Sequence, residues 1–405
     1  METRKKQSKR SKKGFGLPLV VLMILLLALI GNGLLTLGYN SRMQAIRSTA
    51  DIGARAATDA AIMQAMHLMN MKADDELTWN NDSLPVATDV ALPNSNLTFS
   101  FDVAGDPMNG FIITSTGRSG FAQRKVYVTT RLKSVFEFAI LVQDNIALSP
   151  GVTVEGWTSD PTITDTSLLI GTNSTLADSI IMENAAIVDG DVAVGVGGDV
   201  DTVIAATEAT ITGQKFALPQ EQEFPPIAAP IDLGFKGAID DSIPQLVPAD
   251  SGTYTSFTLG NSGSIDVNEG DVVLHIIGDV IIRNGAEINI KNVASLTVYL
   301  VGDWVSHNSS SINTESQTPA DFTLYGLGDE DQMIDLKAKG EFYGVVYAPD
   351  ADVIIRAKTD IYGAVICKNF DMKNNNTVFH YDAALKQTHI DDLGVRFAIN
   401  TWREE

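Results

Sequence analysis

Four aspartates lie close together at Asp189, Asp191, Asp199 and Asp201, and a second pair, Asp350 and Asp352, precedes Arg356 and Lys358. Carboxylates grouped in this way can share a divalent cation, or cleave a glycosidic bond when one is held protonated. Around residues 189–201 no Arg or Lys completes a catalytic set. The spacing of the second group puts its charges on alternate faces of one strand and turn. Gly197-Gly198-Asp199-Val200-Asp201 has the composition of a calcium-binding turn, but an Asp-rich corner is the simpler reading. His67, His275, His307, His380 and His389 are dispersed, with no pair at metal-ligand spacing. His380, beside Tyr381 and Asp382, reads as a hydrogen-bonded cap residue. Cys367, the single cysteine, follows Ala364-Val365-Ile366 and reads as a buried small hydrophobe. No nucleophile elbow or phosphate loop occurs. These residues predict a protein that is not an enzyme and has no catalytic, cofactor or metal set, calcium at an acidic corner being the one ion to consider. The alternative is a tethered carbohydrate-active enzyme on a β-helix scaffold.

Any such groups must be positioned outside a membrane. Phe15 to Leu37 is an uncharged apolar run, long enough at about 1.5 Å per residue to cross a bilayer once. Seven Lys or Arg residues and only one acid, Glu2, occupy positions 1–13, which retains that side in the cytoplasm. The rest of the chain is then periplasmic or at the cell surface, on a single-pass cytoplasmic-membrane anchor. The formal charge of the 405 residues is −21, so the part beyond the basic leader is more acidic still. That balance excludes nucleic acid as a partner. With one cysteine and no intramolecular disulfide, stability must come from a core or a repeated stack.

The helical pattern continues beyond Leu37 without proline until Pro85, through Ala54, Ala56, Ala57, Ala60, Ala61 and Ala65. The spacing predicts one helix from about Leu19 to Met71, projecting about 45–50 Å past the membrane. Lys12-Lys13-Gly14-Phe15 followed by such a helix resembles the leader of type IV pilins and type II secretion pseudopilins, and residues 54–62 are similar to the Ala-rich stretch of PilX-type minor pilins. The resemblance implies cleavage by a prepilin-type peptidase between Gly14 and Phe15, and partners among pilin-like or secretion-system subunits. Major pilins carry a glutamate at the fifth mature position, where this chain has Leu19. That departure implies a minor or anchored subunit.

Alternation in Leu97–Val103, with Phe111–Gly117 and Lys125–Leu132 flanking a Gly/Ser turn, predicts a sheet of three or four strands on the exposed half of the helix. Arg118, Arg124, Lys125 and Arg131 read as a solvated turn face. Beyond it, Leu296-Thr297-Val298-Tyr299-Leu300-Val301-Gly302-Asp303 reappears as Phe322-Thr323-Leu324-Tyr325-Gly326-Leu327-Gly328-Asp329, Val272–Ile281 shares the register, and Tyr343-Gly344 is echoed by Tyr362-Gly363. Offsets of 24, 26 and 19 residues suit circuits of a parallel β-helix (solenoid), in which only stacking buries the alternate apolar residues. Gly-Asp pairs at 190–191, 198–199, 278–279 and 302–303 suit corners, glycine by its freedom at positive φ. The region resembles the β-helix ectodomains attached to PilX-like anchors. Six prolines between Gln214 and Asp250 mark an extended excursion along the surface.

The predicted class is therefore mainly β, with a long N-terminal transmembrane α-helix. The expected divisions are a leader at 1–14, the helix at 15–72, a small β region at 73–145, a parallel β-helix at 146–385 with its excursion at 214–250, and a tail at 386–405. The expected function is a membrane-anchored structural protein, a minor pilus or pseudopilus component. It presents a rigid acidic surface for assembly or for adhesion to a glycan or another surface ligand.

Overall fold

A computed structural model describes residues 16–75, 79–106, 110–313, 315–356, 360–387 and 395–405. The chain is mainly β behind one long helix, Gly16–Asp75, which runs unbroken for about 90 Å. Two compact units form: one holds the helix to Met71 with Asn80–Arg131 and Ile399–Glu405, the other Lys72–Trp79 and Leu132–Ala398.

In the first unit the apolar part of the helix, Leu17 to Leu37, has no covering residues. Its second half buries Ala54, Ala57, Ala61, Ile62, Ala65 and Met69. These residues face an antiparallel sheet of Val86–Ala91, Leu97–Asp106, Gly110–Ser119 and Ala122–Lys133, extended by Arg396–Glu404. Period-two alternation turns Phe99, Phe101, Val103, Phe111, Ile113, Val126 and Val128 inward. Alanine on one side and Gly117 on the other bring the backbones together, since a Cβ at Gly117 would stand 2.1 Å from the Ala54 carbonyl oxygen. The fifth strand, Arg396–Glu404, completes the sheet where a tail was expected. The second unit is thus inserted between the fourth and fifth strands of the first.

The second unit is a parallel, barrel-like sheet of 24 strands among the described residues, closed around one apolar core. Register repeats from circuit to circuit: Val272 pairs with Leu296 and Leu296 with Phe322, and all three are fully buried. At one corner a residue at positive φ recurs (Ser262, Gly285 and Ser309 in one run, Gly151, Ala185 and Glu208 in another), and Asn376 adopts the same turn. Their amides donate across the stack, Ser262 N to Asn284 O at 2.9 Å and Gly285 N to Asn308 O at 3.2 Å. The Gly-Asp glycines do something different from the expected corner. None has positive φ. They allow close approach: a Cβ on Gly302 would lie 2.5 Å from the Gly278 carbonyl carbon.

Spatial order departs from chain order. The last circuit meets the first, Val365 pairing with Ile140 and Phe370 with Ile146, while Phe379 pairs with Val154. Circuits then continue through Leu169–Thr172 and Asp191–Val194 to Lys215–Ala217, which forms one edge of the sheet. The opposite edge is Phe235–Ile239 with Gln245–Leu246. The expected excursion at 214–250 is therefore narrower, because 235–246 joins the stack and only residues 218–234 run outside as a strap. From edge to edge the stack takes about ten steps of ~4.8 Å, roughly 48 Å, and the strap's residues at ~3.1 Å each reach roughly 53 Å.

Candidate functional site

Leu19 lies on the bare part of the helix and is 60% exposed, in a run where every large apolar side chain from Leu17 to Leu37 is open. Gly14 and Phe15 lie outside the described residues. One long apolar helix near the N-terminus is thus a candidate single-pass anchor, uncovered by its own protein over its most apolar stretch.

Where that helix meets its sheet, Arg124 donates from Nε and Nη2 to the two carboxylate oxygens of Asp51, both at 2.7 Å, and its Nη1 lies 3.2 Å from Glu404. The hydrogen bond from Arg124 holds the Asp51 carboxyl below its ordinary value, with the charges of Arg124 and Arg55 adding to it against a smaller opposing effect of burial. Thr58 accepts at its carbonyl from the buried Ser115 hydroxyl at 2.9 Å. Arg124 is therefore a clamp between helix, fourth strand and C-terminal strand, and was misread as a solvated turn residue. Arg118, by contrast, pairs at the surface with Asp89.

The acidic groups of the second unit accept hydrogen bonds from their own chain. Asp189 accepts from the Thr212 hydroxyl at 2.7 Å, and Asp191 from the Gln214 amide at 2.7 Å. Asp199 caps the short helix Val200–Val203, accepting from Asp201 N at 3.1 Å. Asp352 accepts from Asn369, which in turn accepts from Asn145 across the meeting of last and first circuits. Asp350 is exposed, and Lys358 and His389 fall outside the described residues. Among the described residues no three His, Cys, Asp or Glu side chains converge to hold a metal.

His380 is not the hydrogen-bonded cap that its neighbours implied. It stacks on Tyr362 at 4.4 Å, and Tyr362 stacks on Tyr343 at 4.3 Å, one rung per circuit. Glu155 and Asp360 approach its ring nitrogens at 3.1 and 3.7 Å, yet neither makes an aligned hydrogen bond. Cys367 is fully buried, and burial pushes its thiol well up, so it is no nucleophile.

A concavity of about 900 Å³ opens where the strap crosses the circuit turns, between Asp144, Asn173, Glu221, Glu223, Phe224 and Arg396. Asn173 is already engaged there: it donates to Gln222 O at 2.7 Å and accepts from Gln222 N at 3.0 Å. Further along, Tyr347 donates from a buried hydroxyl to Pro225 O at 2.7 Å. Asn173 and Tyr347 were invisible in the sequence, where only the prolines signalled an extended segment. The contacts the groove shows are those of a fastened strap.

The family model described as "Domain of unknown function (DUF7305)" matches residues 227–388, which is the later limb of the stack. Among solved structures, the crystal structure of the competence-associated pilin ComZ from Thermus thermophilus is 13% identical, covering 88% of this chain and 98% of that one, with a TM-score of 0.25. No curated protein matches the chain.

Proposed function

We propose that this is a membrane-anchored, non-enzymatic structural protein of the pilin-like kind, a minor pilus or pseudopilus component rather than a major repeated subunit. The observation that carries this reading is the continuity of the helix. The uncovered, predominantly apolar stretch from Leu17 to Leu37 runs without a break into an alanine face seated on an antiparallel sheet. That geometry suits an element shared between a bilayer and a folded head. Leu19, where an assembling subunit would carry glutamate, fits a minor or static role. The parallel stack reads as a β-helix, supported by circuit-to-circuit register and the repeated positive-φ corner. It is presented outside the cytoplasm as a stiff acidic body. The partners of this reading are the membrane, a prepilin-type peptidase acting between Gly14 and Phe15, and pilin-like or secretion-system subunits. A glycan or other surface ligand would be met by the outer face.

A tethered carbohydrate-active enzyme is the weaker alternative, because Asp189, Asp191 and Asp199 already accept hydrogen bonds from their own chain. The deciding measurement is the mature N-terminus, read by mass spectrometry on protein from native membranes. A chain starting at Phe15 supports filament or secretion-system membership. A retained basic leader overturns processing and leaves a static anchor carrying the same ectodomain.

A further inference from the structure

Asn32 and Thr36 are the only polar side chains between Leu17 and Leu37. At ~1.5 Å per residue Asn32 sits ~8 Å inside the Leu37 end, within the hydrocarbon layer if the helix spans a bilayer. The Thr36 hydroxyl is satisfied within its own helix, donating to the Asn32 carbonyl oxygen at 2.8 Å. The Asn32 side-chain amide is exposed and has no partner among the described residues. Water would satisfy such an amide. Lipid cannot, and an unpaired amide in hydrocarbon is costly.

We propose that Asn32 joins two copies of this chain inside the membrane, each side-chain amide donating to the amide oxygen of the other. The proposal rests on the membrane-anchored reading above. An asparagine side chain carries both donor and acceptor, so it is complementary to itself. A two-fold helix pair sets the same residue opposite itself at the crossing. Ala28 and Thr36, one turn to either side on the same face, are small enough to let the backbones approach. The span has no charge that would demand an oppositely charged partner helix.

The full chain reconstituted in phosphatidylcholine–phosphatidylglycerol vesicles tests this. After flotation confirms that the chain is bilayer-bound, Ala28→Cys is oxidised and compared with Ile30→Cys, which lies ~160° around the helix from Asn32. The native Cys367 is fully buried and does not compete. Disulfide-linked dimer from Ala28→Cys but not from Ile30→Cys is expected. Adding Asn32→Leu should weaken the pairing about three- to twenty-fold, while Asn32→Gln, which keeps an amide, should preserve it. Equal product from both faces, or dimer unaffected by Asn32→Leu, overturns the proposal. So does a product in native membranes that links Ala28→Cys to a different protein. A chain absent from the floated vesicles removes the membrane reading and the pair with it, whereas a bilayer-bound chain without face-specific product removes the pair alone.

Discussion

Arg124 makes its strongest contacts with a helix residue 73 positions earlier in the chain. Because the native Asp51 carboxyl is held below its ordinary 3.8, the pair contributes stability that is complete above that value. The contribution is lost as pH falls below it, through the depressed native value. Asp51→Asn should therefore lower the melting temperature at neutral pH, and the gap from the unmodified protein should close in acid below about 3.8. Gly117→Val supplies the contrast. Its added bulk meets the Ala54 carbonyl and Thr58, and overpacking of this kind costs ~1–3 kcal/mol at any pH. Melting curves of the three proteins across that range check both statements. A gap for Asp51→Asn that does not change with pH would show that packing, not charge, ties helix to sheet. Neither contact was legible in the sequence, where an arginine near a Gly/Ser turn looks solvated and a glycine in a strand looks like a weak point.

Elements were read more successfully than the contacts between them. Alternating Val, Ile and Leu exposed the strands at 272–276, 296–300 and 322–326 because period two and a recurring circuit both leave marks in one dimension. The proline run showed an extended segment for the same reason. What left no mark was where the strap is fastened. Neither Tyr347 nor Asn173 stands out in the sequence, yet both hold the strap. Removing one hydroxyl leaves the Pro225 carbonyl without its buried partner, a cost of ~1–3 kcal/mol. In Tyr347→Phe, limited proteolysis should cut residues 218–234 several-fold faster while the remainder of the stack keeps its protection. An unchanged cutting rate would mean that Asn173 and the prolines hold the strap unaided. The pairing of the last circuit with the first was equally hidden, since it joins residues about 225 apart and neither strand is unusual by itself.

At the scale of the whole molecule, that long-range pairing governs how the protein forms. Residues 140–217 make circuits whose inner neighbour, 361–382, is synthesised well after them. Contacts of such separation are slow to form, because the intervening chain must be ordered first. A chain ended at residue 360 should leave 140–217 sensitive to protease, and the full chain should protect them in the same digestion. A resistant fragment spanning 140–217 in the shortened chain would show that the early circuits stand without their neighbour. The two sheet edges, at 215–217 and 235–239, carry a further consequence. In an ordinary stacked repeat the edges belong to the ends of the chain, and length is gained at a terminus. Here both lie in mid-sequence beside the strap, and the termini of the stack are spliced into neighbouring strands of the small sheet. A duplicated circuit placed next to the strap would lengthen the body while the anchor, the clamp and the closing contact kept their addresses. The molecule has its growing points in the middle of its sequence, and its reach can be reset there without renegotiating how it is held.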